Sequence, residues 1–137
     1  MAQVYLAGPI SDEENPYQWH QDVAALAPEI DWCNPFTLND YSLDEAKTHT
    51  AEIFAEDLQA VQNSAAVLVR RIDEYNLCGA SMEAFAAYQH DIPVIVWNDD
   101  DTGIPLFLEA VATDVYQNKS DAVEAIISEL ESSSSPE

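Results

Sequence analysis

Five short apolar runs alternate along the chain with longer segments of amphipathic pattern. Apolar runs of four to six residues between turn residues are typical of strands, and apolar residues three and four apart are typical of helices. The pattern predicts strands at Gln3–Ala7, Ile30–Cys33, Ala65–Val69, Pro93–Trp97 and Asp114–Gln117. It predicts helices at Pro16–Leu26, Leu43–Asn63, Ala80–Gln89, Ile104–Val111 and Ser120–Leu130.

Capping residues and a change of composition set several of these boundaries. Asn15, Ser42 and Ser120 stand where the N-caps of three helices are expected, because their side chains can accept bonds from free backbone N–H groups. Residues 131–137 include four consecutive serines, a composition that predicts a disordered tail. We therefore expect one domain over residues 1–130, followed by this tail.

The alternation of strands and helices predicts the fold class. Such a chain builds an α/β domain, in which a parallel five-stranded sheet carries helices on both faces. The expected strand order is flavodoxin-like, 2-1-3-4-5, and ligands of these sheets bind beyond the carboxyl ends of the strands where the order reverses. A site is therefore predicted among Tyr5–Ser11, Arg70–Gly79 and the helix that starts near Ala80.

The charge of the chain limits its partners. It has 26 acidic residues against 4 basic ones, for a formal net charge of −22. An apolar fraction of 47% and three tryptophans favour a folded core under an acidic surface, a composition that resembles halophilic proteins. Nucleic acids and anionic membranes bind through Lys and Arg, so neither is an expected partner.

Localisation and metal binding follow from similar arguments. No apolar run approaches the ~20 residues of a membrane span, and the N-terminus lacks the basic start of a signal peptide. A cytoplasmic protein is expected. The two cysteines are expected to be small buried residues, and neither they nor the three histidines show the spacing of metal ligands.

Asp57 is out of place in the pattern of its helix. Ile53, Phe54, Leu58 and Val61 form an apolar face by their spacing, and Asp57 lies within it. A buried carboxylate is costly unless it is paired or hydrogen-bonded. The residue is therefore either a functional group or a side chain at the edge of the face that bonds to nearby backbone.

Glu83 and Tyr5 are the other candidates at the predicted site. Glu83 falls in the first turn of its predicted helix, where it either belongs to the pocket or only stabilises the helix dipole. Tyr5 either directs its hydroxyl into the pocket or is an ordinary core residue. Arg70 and Arg71 stand at the predicted mouth, where they either meet a substrate phosphate or, as we expect, neutralise nearby acids.

The motifs of the chain resemble those of the nucleoside 2-deoxyribosyltransferase family. The resemblance is carried by Val4–Ile10, Asn34-Pro35, Asp57–Val61, the strand Ala65–Val69, Gly79–Glu83 and Ile92–Val96. It implies that Glu83 is the nucleophile, that Tyr5 orients it, and that Asp57 contacts the substrate. It also implies further substrate contacts at Gly8, Pro9, Ser11, Asp73, Asn76 and Ser81.

The same resemblance implies a reaction. Glu83 would attack C1′ of a 2′-deoxynucleoside, and a second base would take the sugar from the glycosyl-enzyme, without a metal or organic cofactor. The alternatives are a hydrolase of deoxynucleosides or of their 5′-monophosphates, and a non-catalytic binder of nucleosides or nucleotides. A homo-oligomer is also expected, both from the family and from the apolar stretch Ile104–Leu108.

Overall fold

A computed structural model describes residues 2–8, 18–38, 43–72, 78–99 and 103–134 of the chain. The strands are β1 (Gln3–Ala7), β2 (Asp31–Cys33), β3 (Ala66–Arg71), β4 (Val94–Asn98) and β5 (Asp114–Tyr116). The helices are α1 (Gln18–Leu26), α2 (Leu43–Ala46), α3 (Thr50–Gln62), α4 (Cys78–Gln89), α5 (Leu106–Val111) and α6 (Lys119–Ser134). No helix in these ranges is long and apolar enough to span a membrane.

The five strands form one parallel sheet in the order β2-β1-β3-β4-β5. The predicted fold class and strand order are therefore confirmed. β1 pairs with β2 on one side and with β3 on the other, so the order reverses beside β1. This is the position at which parallel α/β sheets bind ligands.

Alternating side chains divide the sheet into two packed faces. Tyr5 and Ala7 point to one face, where they pack with residues of α3 and α4 such as Val61 and Ala84. Val4 and Leu6 point to the other face, which is covered by α1 and α6. The central strands β3 and β4 are buried on both faces, which explains why their sequences read as continuous apolar runs.

β3 is longer than the sequence predicts. It continues through Arg71, so Arg70 and Arg71 belong to the sheet and not to the loop in which they were expected. Arg70 pairs in register with Trp97 of β4, and Arg71 pairs with Asn98. The end of the apolar run did not predict the end of β3, because the backbone pairing with β4 continues through the two arginines.

The predicted long helix Leu43–Asn63 is wrong in its first part, which is a separate short helix. α2 ends at Ala46, and the amides of Lys47 and Thr48 bond three residues back, to Asp44 and Glu45, in tight turns. The Thr48 hydroxyl also donates to the carbonyl of Glu45 at 2.9 Å. In a continuous α-helix this carbonyl would instead accept from the amide four residues further on.

The last helix differs from its prediction at both ends. It begins at Lys119, and Asn118 is the capping residue instead of Ser120, because its Oδ1 accepts from the amide of Asp121 at 2.8 Å. The helix continues to Ser134, so residues 131–134 extend it instead of starting a tail. The expected caps Asn15 and Ser42 lie outside the described residues.

Candidate active site

Glu83 and Tyr5 meet on the α3–α4 face of the sheet. Tyr5 is fully buried in β1, and its hydroxyl donates a hydrogen bond to Oε2 of Glu83. Glu83 reaches this position from α4, which packs against β1, β3 and β4. The contact joins β1, the strand at the switch point, to the helix that follows β3.

Glu83 lies deeper in its helix than expected. α4 begins at Cys78, two residues before the predicted start, so Glu83 stands in the second turn and not in the first. The helix dipole acts mainly on the first turn. The helix N-terminus therefore does little to favour the ionised form of Glu83, whose pKa is raised to about 8.

Asp57 approaches the same pair from α3. It is partly buried, and its Oδ1 is inaccessible to solvent and has no hydrogen-bond partner among the described residues. Of the apolar face proposed around it, Val61 is fully buried, whereas Phe54 is 46% exposed and points outward. Asp57 thus presents a desolvated acceptor oxygen to which no backbone group of the described segments bonds.

Burial raises the pKa values of all three groups. The pKa of Glu83 rises mainly because the site is desolvated, is lowered by the Tyr5 hydrogen bond, and is raised again by the charge of Asp57. Desolvation, with a contribution from Glu56, raises the pKa of Asp57 to about 6. Burial and both carboxylates raise the pKa of Tyr5, which keeps its hydroxyl a donor. At pH 7 Glu83 and Tyr5 therefore keep their protons, whereas Asp57 is mostly ionised.

Cys33 is a site neighbour that the sequence reasoning did not recognise. It ends β2 in register with Tyr5 and is buried in the same layer. Burial, Asp31 and then the Asp57 and Glu83 carboxylates raise its pKa to about 11, so the thiol stays neutral. Its place at the carboxyl end of the strand beside β1 was the signal available from the sequence.

Arg70 neutralises an acid, as expected. Its Nη2 and Nε donate to Oδ2 of Asp99 at 2.8 and 3.2 Å. It points to the α1–α6 face, away from Glu83. Arg71 is buried, and its Nη1 lies 3.4 Å from Oδ1 of Asn98.

Of the remaining predicted contacts, Gly8 and Ser81 are the two that lie among the described residues. A Cβ on Gly8 would lie 2.9 Å from Cζ2 of Trp19, so this glycine allows close packing on the α1–α6 face. Ser81 lines a groove between α4 and α5. The other four predicted contacts lie outside the described residues: Pro9, Ser11, Asp73 and Asn76.

Comparison with known sequences identifies the class of protein. The model of the family described as nucleoside 2-deoxyribosyltransferase like matches residues 1–100. The chain belongs to this family, which places it among pentosyltransferases and related N-glycosidases. A search of curated protein sequences gives no significant match.

Solved structures of similar fold include the 2-deoxyribosyltransferase of Bacillus psychrosaccharolyticus, with a TM-score of 0.73 and 19% identity over 89% of this chain and 90% of that one. A conserved protein from Enterococcus faecalis V583 has a TM-score of 0.66 and 16% identity over 93% and 98% of the two chains. The CMP N-glycosidase of Clostridium botulinum has a TM-score of 0.58 and 14% identity over 91% and 97%. These likenesses support the flavodoxin-like fold.

Proposed function

We propose that the protein cleaves the N-glycosidic bond of a 2′-deoxynucleoside and transfers the deoxyribosyl group to a second base. The observation that carries the proposal is the Tyr5 hydroxyl bonded to a partly buried Glu83, with Asp57 close enough to raise the pKa of that glutamate. A desolvated carboxylate held by one donor is suited to nucleophilic catalysis. Family membership supports the same chemistry.

Glu83 is the proposed nucleophile. Tyr5 occupies Oε2, so Oε1 attacks C1′ of the sugar while the C1′–N bond breaks and its electron pair leaves with the base. The base takes up a proton from solvent water as it departs. A nitrogen of the second base then attacks C1′, loses its proton to solvent, and releases the Glu83 carboxylate, which gives overall retention at C1′.

Asp57 and Tyr5 have supporting roles in the proposal. The unpartnered Oδ1 of Asp57 can accept a hydrogen bond from a sugar hydroxyl or from the base, which would offset the cost of its burial. Tyr5 fixes the rotamer of Glu83 and withdraws charge from its carboxylate. Both contributions are orientation of reacting groups, which supplies a large part of the rate in such reactions.

Hydrolysis is the second candidate function. Water in place of the second base would attack C1′, and the products would be free 2-deoxyribose and the base. The similarity in fold to a CMP N-glycosidase is the reason for considering hydrolysis. The two reactions share every step up to the glycosyl-enzyme, so product analysis separates them.

The test is incubation in molar KCl with 2′-deoxyadenosine, with and without free cytosine, followed by chromatography. The proposal expects 2′-deoxycytidine when cytosine is present, and loss of this product in Glu83→Gln. Glu109→Gln removes one exposed acid of α5 and serves as the matched control. Release of free adenine without any new nucleoside would contradict transfer and support hydrolysis. Binding of the nucleoside without any product would favour the non-catalytic binder.

We also propose that the chain forms a homo-oligomer through α4 and α5. Among the twelve residues of α4 only Glu83 is charged, and its Met82, Phe85 and Tyr88 are 50 to 54% exposed. Leu106 and Phe107 of α5 are 75% and 82% exposed beside them. Two chains of charge −22 repel each other least through such a surface, where Glu109 is the exposed acid of α5.

A further inference from the structure

Arg70 is the centre of a cluster that the proposed chemistry does not use. Its guanidinium carbon lies 4.9 Å from the ring centre of Trp97 and 5.6 Å from that of Trp19. Its edge donates two bonds to Oδ2 of Asp99. Cation–π contacts and a carboxylate pair together hold this side chain on the α1–α6 face of the sheet.

The cluster joins the ends of three central strands. Arg70 belongs to β3, Trp97 lies in β4, and Asp99 follows β4, with its amide donating to the carbonyl of Arg71 at 2.9 Å. The end of β1 is included through Gly8, because a Cβ there would lie 2.9 Å from Cζ2 of Trp19, the ring that the Arg70 guanidinium contacts. All of these contacts are at the carboxyl edge of the sheet, where ligands bind.

We propose that Arg70 is a positioning residue that fixes the backbone of Gly8 at the edge of the substrate site, and that it is not a ligand of a substrate phosphate. The proposal rests on the proposed function for its effect on substrate. Asp99 cancels the charge of Arg70 and occupies its Nε and Nη2 donors. The guanidinium edge formed by Nε and Nη2, which suits a bidentate phosphate contact, is therefore already taken by a carboxylate.

The geometry separates substrate binding from chemistry. Tyr5 and Glu83 meet on the opposite face of the sheet, so loosening the Arg70 cluster leaves their hydrogen bond in place. Loss of Arg70 should then raise KM and leave kcat and the pH profile nearly unchanged. Because the effect acts through Gly8, it should be equal for a deoxynucleoside and for its 5′-monophosphate.

The test compares Arg70→Met, which keeps an apolar stem between the tryptophans, with Arg70→Lys, which keeps the charge. We expect Arg70→Met to raise KM about fivefold to tenfold, the equivalent of losing one modest interaction, with kcat within about twofold of the wild type. Arg70→Lys should recover part of this loss. Ile126→Val, a fully buried change on α6 under the same face, controls for lost stability alone.

Hydrogen exchange at the Gly8 amide gives a measurement that does not depend on activity. It should quicken in Arg70→Met and not in Ile126→Val, while exchange in α4 stays unchanged. Unchanged exchange at Gly8, an unchanged KM, or a loss confined to the monophosphate would overturn the proposal. If the wild type releases no base from either substrate but the exchange result holds, the proposed function fails and the positioning role stands.

Discussion

At the residue scale, the site depends on the balance of effects on one carboxylate. Burial raises the pKa of Glu83, the Tyr5 hydroxyl lowers it, and the Asp57 charge raises it again, to about 8. A nucleophilic carboxylate reacts in its ionised form, so the free enzyme should gain activity as the pH rises through this value. Substitutions that remove the Tyr5 hydroxyl or the Asp57 charge should therefore shift the pH profile of activity in opposite directions.

We predict that Tyr5→Phe moves the acid limb of the kcat/KM profile to higher pH, and that Asp57→Asn moves it to lower pH. The first change removes a hydrogen bond that favours ionised Glu83, and the second removes a negative charge that disfavours it. Steady-state rates from pH 5 to 9.5 measure both shifts. Limbs that move in the same direction, or that do not move, would contradict the assignment of Glu83.

The pH dependence of folding stability also reports the raised pKa of Glu83, and its measurement needs no substrate. The folded-state pKa of Glu83 is raised from 4.5 to about 8, so its contribution to stability is full below pH 4.5 and is lost as the pH rises through 8. Relative to Glu83→Gln, the wild type should lose at least about 1.4 kcal/mol of unfolding free energy across this window, the equivalent of one pKa unit. Denaturant unfolding at pH 5 and pH 9 measures the difference.

The control for this experiment is Glu109→Gln on α5, which also removes one negative charge but from an exposed position. It should track the wild type at both pH values. A wild type that becomes more stable than Glu83→Gln as the pH rises would reverse the sign and refute the raised pKa.

At the element scale, the exposed apolar surface of α4 and α5 has a direct test. Phe107→Asp places a charge at its most exposed residue and should convert the oligomer to a monomer of 15.2 kDa. Light scattering in molar KCl measures the mass. Leu26→Asp, which adds the same charge at an exposed apolar position of α1, should leave the mass unchanged. A monomeric wild type would refute the oligomer.

The sequence predicted the elements where one physical signal dominates. β1, β3 and β4 were recognisable because strands buried on both faces are apolar throughout. The alternation with helices then determined the strand order, and the switch point led to Tyr5 and Glu83. Asp57 was found because a carboxylate on an apolar face is costly.

The errors arose where local bonds override the apolar pattern. Thr48 ends α2 through a side-chain bond to Glu45, inside a stretch whose spacing reads as one helix. Arg70 and Arg71 continue β3 through backbone pairing that their side chains do not signal. Cys33 was missed although the predicted strand order places β2 beside β1, because no residue of β2 reveals the register that sets Cys33 opposite Tyr5.

At the scale of the whole molecule, the charge of −22 leads us to expect that stability depends on salt. Acidic residues repel one another across the surface in dilute buffer, and salt screens this repulsion within a Debye length of ~3 Å at 1 M. We predict that the unfolding midpoint falls on dialysis from molar KCl to dilute buffer. Circular dichroism measures it, with sucrose as the control for solvent exclusion. Equal stability in salt and in dilute buffer would contradict the halophilic interpretation.

The central claim is that Glu83 forms a covalent bond with the sugar. The most direct test is mass spectrometry of the protein quenched during turnover of a slow 2′-fluoro-2′-deoxynucleoside, since fluorine slows hydrolysis of a glycosyl-enzyme. The account predicts a fluorodeoxyribosyl adduct on the peptide that contains Glu83, absent in Glu83→Gln and present in Glu109→Gln. An adduct on Asp57 or another carboxylate, or full turnover by Glu83→Gln, would contradict it.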